Sequence, residues 1–360
     1  MNFRKRLRSI KSFYCRNNNK NRLKRQAFRD WRYPNTVWKN NRVASFFDTS
    51  ANSLLRSAFR KATKLWSEDT CLDIYEDTCA LSPDRIRVLA EEACWSDIGR
   101  LGGEQNRLAK GLLHTHSRDD RDQFITADAR NFPLQLRYSV RLRQHNALRG
   151  SKNDNPSMLP EDVLYTETLG SPFISFYDLL LLNRHYNCTD RCKHSKTTCY
   201  LDGFPHPRDC SKCICPGGYG GVDCKERPAG CGEEFTATPY PQVFHASVGS
   251  KSLGDTPQED FDKCYYWIKA PLDKRIEVKL LRFSPDDGCR YCGVEIKTQK
   301  DQRLTGYSFC STSERNPGFR LLYSADNNVQ SDERNECINS ISILLNETVH
   351  EEFTLDAPSH

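Results

Sequence analysis

Six cysteines fall within 33 residues, at Cys192, Cys199, Cys210, Cys213, Cys215 and Cys224, in a stretch rich in glycine and proline that closes on CICPGGYGGVDC. Such a segment has too few apolar residues to bury a core of its own, so it holds a fold only when covalently stapled. Its glycines permit the tight turn needed between Cys215 and Cys224. Seventeen cysteines in 360 residues extend the argument to the whole chain. In a reducing compartment metal sites or catalysis would have to explain them all, so an oxidising, extracellular setting is favoured. The odd count leaves at least one thiol over. Cys210 and Cys213 form a CxxC pair that a zinc knuckle would use, but no second pair with ligand spacing stands nearby.

The length allows two or three domains. The net charge of +6 lies largely in residues 5–25, and the remainder is close to neutral, which argues against a nucleic-acid partner. No run of about 18 apolar residues occurs, so no membrane span is expected. The start, MNFRKRLRSIKSFYC, is basic but lacks an apolar core of about 7 to 15 residues and does not read as a signal peptide. Arg22, Leu23, Lys24 and Arg25 form the RxKR pattern that furin-type convertases cut, here after Arg25, with a solvated charge run as the plain alternative.

Residues 29–165 read as mixed helix and strand. Leu54, Leu55, Ala58, Phe59, Ala62 and Leu65 or Trp66 recur at helical spacing, predicting an amphipathic helix over 53–66 with a core-facing stripe. Residues 85–89 alternate as a strand, 99–103 form a turn-rich break, and 174–186 read as a buried helix. Beyond Cys231, alternating runs at 265–268, 276–281, 294–296, 319–323 and 341–345, punctuated by turn residues, predict a β-sandwich.

The chemistry-bearing candidate is HTHSRDDRD at 114–122. Zinc hydrolysis needs three protein ligands, an open water position and a carboxylate base. His114 and His116 alone cannot meet that need, because on a continuous helix two residues so spaced point in different directions. The run resembles the close of HExxHxxGxxHxxxR, the zinc motif of astacin-like endopeptidases, with His114 at the third-ligand position. Counting back, Gly111 matches, but Leu108 and Glu104 occupy the other two histidine positions and Gln105 occupies that of the catalytic glutamate. A glutamate can ligate zinc; a leucine cannot.

The resemblance covers nearly the whole chain in family order. Residues 28–38 resemble the mature start of nematode astacins, 58–72 their first core helix and following strand, and CWSDIGRLGGEQ at 94–105 their cysteine, GRxGG and glutamine segment. A family stretch holding another cysteine is then missing. A second gap follows Phe132, where the family has an SxMHY turn; Tyr138, Ser139 and Val140 are a remnant, with Arg141 in place of the methionine. The match returns in full over 158–188. Two explanations stay open: a true pseudoenzyme, or skipped or misjoined exons.

The resemblance implies an α+β multidomain chain. It would comprise a basic leader (1–25), a shortened astacin-like peptidase domain (26–189), an EGF-like module (190–225), an all-β CUB sandwich (231–349) and a tail (350–360). It implies bridges Cys71–Cys188, Cys192–Cys210, Cys199–Cys213, Cys215–Cys224, Cys231–Cys264 and Cys289–Cys310. Cys94 is orphaned unless Cys79 pairs with it, Cys292 and Cys337 are left to pair together, and Cys15 leaves with the leader. Asn187 in NCT and Asn346 in NET fit the glycosylation pattern. The implied activity is secreted zinc endopeptidase action on extracellular or cuticle protein, absent from this chain as written. A non-catalytic extracellular binding protein is the alternative, and a purely structural matrix protein leaves the astacin remnant unexplained.

Overall fold

The computed structural model describes residues 36–90, 99–106, 123–127, 158–169, 171, 173–246, 248, 262–271, 275–282, 292–309, 320–324, 328–333 and 341–348. The chain divides into two compact units, one of Met1–Ala51 with Tyr75–Asp162, the other of Asn52–Ile74 with Val163–His360.

The first unit holds strands β1 (Arg42–Phe47), the end of β2 (Asp73–Glu76), β3 (Arg85–Val88) and β4 (Glu104–Asn106), in the sheet order β2-β1-β3-β4. β1 pairs with β3 in parallel, Ala44 opposite Arg85 and Phe47 opposite Val88, and β3 pairs in parallel with β4, Ile86 opposite Gln105. The expected alternation over 85–89 is present: Ile86 and Val88 are buried while Arg85 and Arg87 turn to the other face. β5 (Ile125–Ala127) and β6 (Met158–Pro160) form a separate antiparallel pair.

The second unit begins with helix α1 (Ser53–Glu68), where Asn52 caps the N-terminus by accepting from Leu55 N at 2.8 Å. The expectation of a core-facing stripe is corrected here. Leu54 is 70% and Leu65 43% exposed, Ala58 is exposed, and Thr63 is the buried residue of the helix. The helix is instead held by its C-terminal end. Arg208 Nε donates to Ser67 O at 2.6 Å and to Thr70 O at 2.8 Å, and its terminal nitrogen donates to Leu72 O at 2.7 Å and to the Asp73 carboxylate at 2.8 Å. Ser67 O is a carbonyl that the helix end leaves without an intrahelical donor, and Thr70 O and Leu72 O follow just beyond it.

Helix α2 (Phe176–His185) starts two residues later than the apolar run suggests, because Ser175 and Asp178 form a reciprocal capping box. It buries Phe176, Leu180, Leu182, Asn183 and His185. Phe176 and Leu180 share a small core with Phe204 and Ile214, which face each other across the hairpin of β7 (Phe204–His206) and β8 (Asp209–Ile214). Asn183 Nδ2 donates to Asp69 O at 2.8 Å, tying α2 to the end of α1. Bridges Cys192–Cys210, Cys199–Cys213 and Cys215–Cys224 staple the segment around the hairpin. Between the last two cysteines Gly218 and Gly221 have φ of 83° and 75°, a region open to glycine at no steric cost.

The remaining strands are β9 (Glu234–Thr236), β10 (Gln242–Ala246), β11 (Asp262–Lys269), β12 (Arg275–Arg282), β13 (Cys292–Ile296), β14 (Tyr307–Phe309), β15 (Arg320–Ser324), β16 (Asn328–Glu333) and β17 (Ile341–Thr348). They form sheets in the orders β10-β17-β12-β15 and β14-β13-β16-β11-β9. Phe244, Ile276, Val278 and Leu280 from the first sheet and Tyr266, Ile268, Val294, Ile296 and Phe309 from the second make one buried cluster, so the sheets pack face to face. The strand expectations at 265–268, 276–281, 294–296, 319–323 and 341–345 fall inside or overlap β11, β12, β13, β15 and β17.

The stapled segment and residues 163–177 dock on this sandwich. Ser308 N donates to Thr168 Oγ1 at 2.8 Å, Tyr165 Oη donates to Thr305 O at 3.1 Å, and the Tyr165 and Tyr307 rings lie 4.6 Å apart, so 163–168 cover the β14 edge. Trp267 Nε1 donates to Gly218 O at 2.9 Å, and Tyr219 Oη donates to Gln302 Oε1 at 3.1 Å. Tyr177 Oη donates to Asp301 at 2.8 Å, and Arg303 pairs with Asp301 and Asp202.

Candidate functional site

The motif-bearing part of the first unit begins at a glycine turn. Gly99, Gly102 and Gly103 have φ of 73°, 92° and 72°, and a Cβ on Gly99 would sit 2.5 Å from Thr36 O. That close approach lets Arg100 N donate to Thr36 O at 2.7 Å. Arg100, 8% exposed, donates to Asp84 Oδ2 at 2.7 Å, while Gly103 N donates to Asp84 Oδ1 at 2.9 Å. Gln105, 4% exposed, spans the same turn: its Nε2 donates to Gly99 O at 2.9 Å and its Oε1 accepts from Leu101 N at 3.0 Å. The glutamine of GRLGGEQ is therefore a backbone tie for the turn that precedes it.

Glu104, next door on β4, faces the other way. Its carboxylate accepts from Arg85 at 2.9 Å and lies 3.5 Å from an Arg87 nitrogen. Arg87 also binds Asp48, whose carboxyl is held well below the usual range by donation from Ser50 N and Ser50 Oγ and by the Arg87 guanidinium. Asp48, Arg87, Glu104 and Arg85 thus form a charge ladder across the sheet, with its charges internally matched.

This arrangement decides what Glu104 and Gln105 do at the positions of the first zinc histidine and the catalytic glutamate. A helix brings residues i and i+4 onto one face around a metal, whereas consecutive strand residues point to opposite sides. Glu104 is committed to two arginines and Gln105 to two backbone groups, and β4 is locked in register with β3. These two residues do not fit a zinc ligand and its base. Among the described residues no group of three or more His, Cys, Asp or Glu side chains is arranged to hold a metal ion. Leu108, His114, His116 and Arg118 lie outside the described residues, as do Arg25, Cys15, Cys94, Tyr138, Ser139, Val140 and Arg141.

Cys71 and Cys188 are bridged with Cα atoms 5.2 Å apart, and Cys231 is bridged to Cys264 at 4.5 Å. Among the described residues Cys79 carries a free, exposed thiol, so the alternative pairing with Cys94 is not formed. Cys292 lies on β13 opposite Glu333, while Cys289, Cys310 and Cys337 fall outside the described residues. Asn187 is exposed in a left-handed conformation (φ 54°), and Asn346 lies on β17 opposite Glu277. Nothing in the spacing of residues marks Arg208, Trp267 or Asp301, because the backbone carbonyls that Arg208 and Trp267 bind and the Tyr177 hydroxyl that Asp301 binds lie far away in sequence.

No helix among the described residues is long and apolar enough to cross a membrane. Residues 30–148 match the astacin family of peptidases. The zinc metalloproteinase nas-31 of Caenorhabditis elegans is 36% identical over 337 residues, covering 83% of this chain and 54% of that protein. The zinc metalloproteinase nas-17 of the same organism is 30% identical over 341 residues, covering 85% of this chain and 76% of that protein. The chain spans about half to two thirds of the length of the first of these relatives, 54% of nas-31 and 65% of nas-16. A solved zinc protease, the hatching enzyme HCE-1 of Oryzias latipes, overlays 45% of the chain at a TM-score of 0.36 and 18% identity, a likeness too slight to bear on the fold. With residues 30–148 matched to the family and 30% identity running over 76% of nas-17, the chain belongs to the astacin family.

Proposed function

We propose that this chain is a secreted homologue of astacin zinc endopeptidases, descended from enzymes that cleave extracellular or cuticle protein, and that as written it does not perform the cleavage. The observation that carries this reading is the pairing of β4 with β3, which commits Glu104 and Gln105 to a strand. Leu108 adds a position with no ligand atom, leaving His114 as the remnant third ligand. The precursor is cut after Arg25 and carries glycans on Asn346 and Asn187. Zinc belongs to the relatives' chemistry, and this chain binds it weakly or not at all. The test is the zinc content of the folded, full chain by mass spectrometry beside a gelatin or casein cleavage assay. Sub-stoichiometric zinc and no cleavage are expected; stoichiometric, tightly held zinc would sink the reading. Sequencing transcripts across the codons of Gln105 and Phe132 separates a true pseudoenzyme from skipped exons, since in-frame segments encoding HExxH and SxMHY would restore the protease.

The second reading, from a different class, is a non-catalytic extracellular binding protein acting through an EGF-like module (190–225) and a CUB-type sandwich (231–349). What supports it is the docking of the stapled segment on the sandwich through Trp267, Tyr219 and Arg303, which gives the C-terminal half a fixed surface independent of any metal.

A further inference from the structure

The loop between the first two bridges of the stapled segment carries unpaired positive charge on a fixed backbone. Cys192–Cys210 and Cys199–Cys213 pin its ends. Ser195 N donates to Cys192 O at 2.9 Å, closing a turn whose central residues are Lys193 and His194. The loop's hydroxyls point inward, Ser195 Oγ and Thr197 Oγ1 both donating to Cys210 O, at 2.8 and 2.6 Å. Lys193, His194 and Lys196 are exposed, and none of them makes an ion pair among the described residues. Arg184 is exposed in the last turn of α2, the element that leads into the Cys188–Cys192 turn, and Arg191, exposed within that turn, reaches Cys71 O at 3.3 Å. Residues 191–199, RCKHSKTTC, include no carboxylate and no exposed aliphatic or aromatic side chain; exposed Asp190 stands just before them, and Tyr200 and Leu201, 44% and 39% exposed, just after. Lys193 and Lys196 are three residues apart, so their Cα atoms lie within about 11 Å even at full extension.

We propose that this face, centred on Lys193, His194 and Lys196 with Arg184 and Arg191 on the elements leading into it, docks a sulfated polysaccharide. The inference rests on the extracellular binding reading above. Three other cations of the stapled segment and its edge have carboxylate partners: Arg208 with Asp73, Lys212 with Asp209, Lys225 with Asp223. Here no internal partner has to be given up. Two disulfides and the inward hydroxyls hold the loop before any ligand arrives, which lowers the ordering cost of binding. A linear polyanion with sulfates on successive sugars gains from releasing its counterions to such a row of cations. Lipid insertion would require apolar side chains in the row, and none is there.

The full chain with its bridges intact should be retained on immobilised heparin at neutral pH and released by added salt. The triple variant Lys193→Gln, His194→Gln, Lys196→Gln should elute at lower salt and bind heparin about tenfold more weakly or worse, since screened surface charge supplies the attraction. The double variant Lys64→Gln, Lys225→Gln, which removes cations outside the row, should elute with the parent. Arg184→Gln provides a second, smaller shift of the same sign should the triple variant fail to form its bridges. Retention unchanged in both the triple variant and Arg184→Gln overturns the proposal. So does equal retention on desulfated heparin, or binding to phosphatidylserine vesicles or polyglutamate that matches heparin and survives the triple substitution. Zinc content and peptide cleavage do not depend on these residues, so failure here leaves the pseudoenzyme reading untouched; the extracellular binding reading is tested apart from it, by whether the chain is secreted with its bridges formed, which fails independently of heparin retention.

Discussion

At Lys297 a charged group is taken out of water without a carboxylate bonded to it. The residue is 2% exposed, and its Nζ donates to Gln302 O at 2.6 Å. Burial pushes the amine down to about 8, against the opposing pull of Glu295 and Asp301. Because this value lies below the unfolded one of 10.5, the unfolded chain binds more protons between the two, and stability rises with pH through that window. The penalty is fully present below pH 8 and relieved above it. Lys297 should therefore contribute a gain of about 2 kcal/mol between pH 8 and 9.5. Urea unfolding across that range measures it, and Lys297→Met should flatten the rise. Tyr177 acts in the opposite sense only above about pH 10, since burial and its bond to Asp301 raise its phenol. Alternation over 294–296 points to a strand there, and nothing in that pattern marks the next residue, Lys297, as buried. Its burial comes from the 299–303 segment folding over it, whose contacts run to Tyr219 and Tyr177, more than 80 residues away.

At the scale of elements, α1 shows how a periodic pattern can be right about a helix and wrong about what holds it. The spacing of Leu54 to Trp66 is helical, and the helix forms over Ser53–Glu68. Its stripe is only partly covered, and the anchoring passes to Arg208, which satisfies three carbonyls at and just beyond the helix end. Arg208→Ala should cost about 2 kcal/mol, nearly all of it from those carbonyl bonds, because the half-exposed pair with Asp73 contributes little. Arg208→Lys should recover less than half of the loss, since an ammonium cannot reproduce the planar fork. Denaturant midpoints of the three proteins test this. A cost below the error of the midpoint for Arg208→Ala would show that α1 is held by something else. The pattern offered no hint of Arg208 because a carbonyl partner leaves no mark in a side-chain sequence.

For the whole molecule, the long-range constraint is Cys71–Cys188, which closes a loop with a sequence separation of 117 and holds α1 in the second unit. By loop entropy such a bridge is worth about 5 kcal/mol, comparable with the total stability of an ordinary domain. The double variant Cys71→Ser, Cys188→Ser should lose hydrogen-exchange protection over Ser53–Glu68 while β11 and β13 keep theirs. Equal loss in both places would mean that the second unit unfolds as one piece. The sequence alone determined the family, the stapled segment and the alternating strands, because each of these is a local pattern of spacing, cysteine or turn residues. It also gave the motif positions from Glu104 to Leu108, but counting along a chain treats them as helical. Only the tertiary structure decided that Glu104 and Gln105 are strand residues, since a strand's identity depends on the neighbour it bonds to, here β3, and on Arg85, Arg87 and the Gly99 turn that claim their side chains.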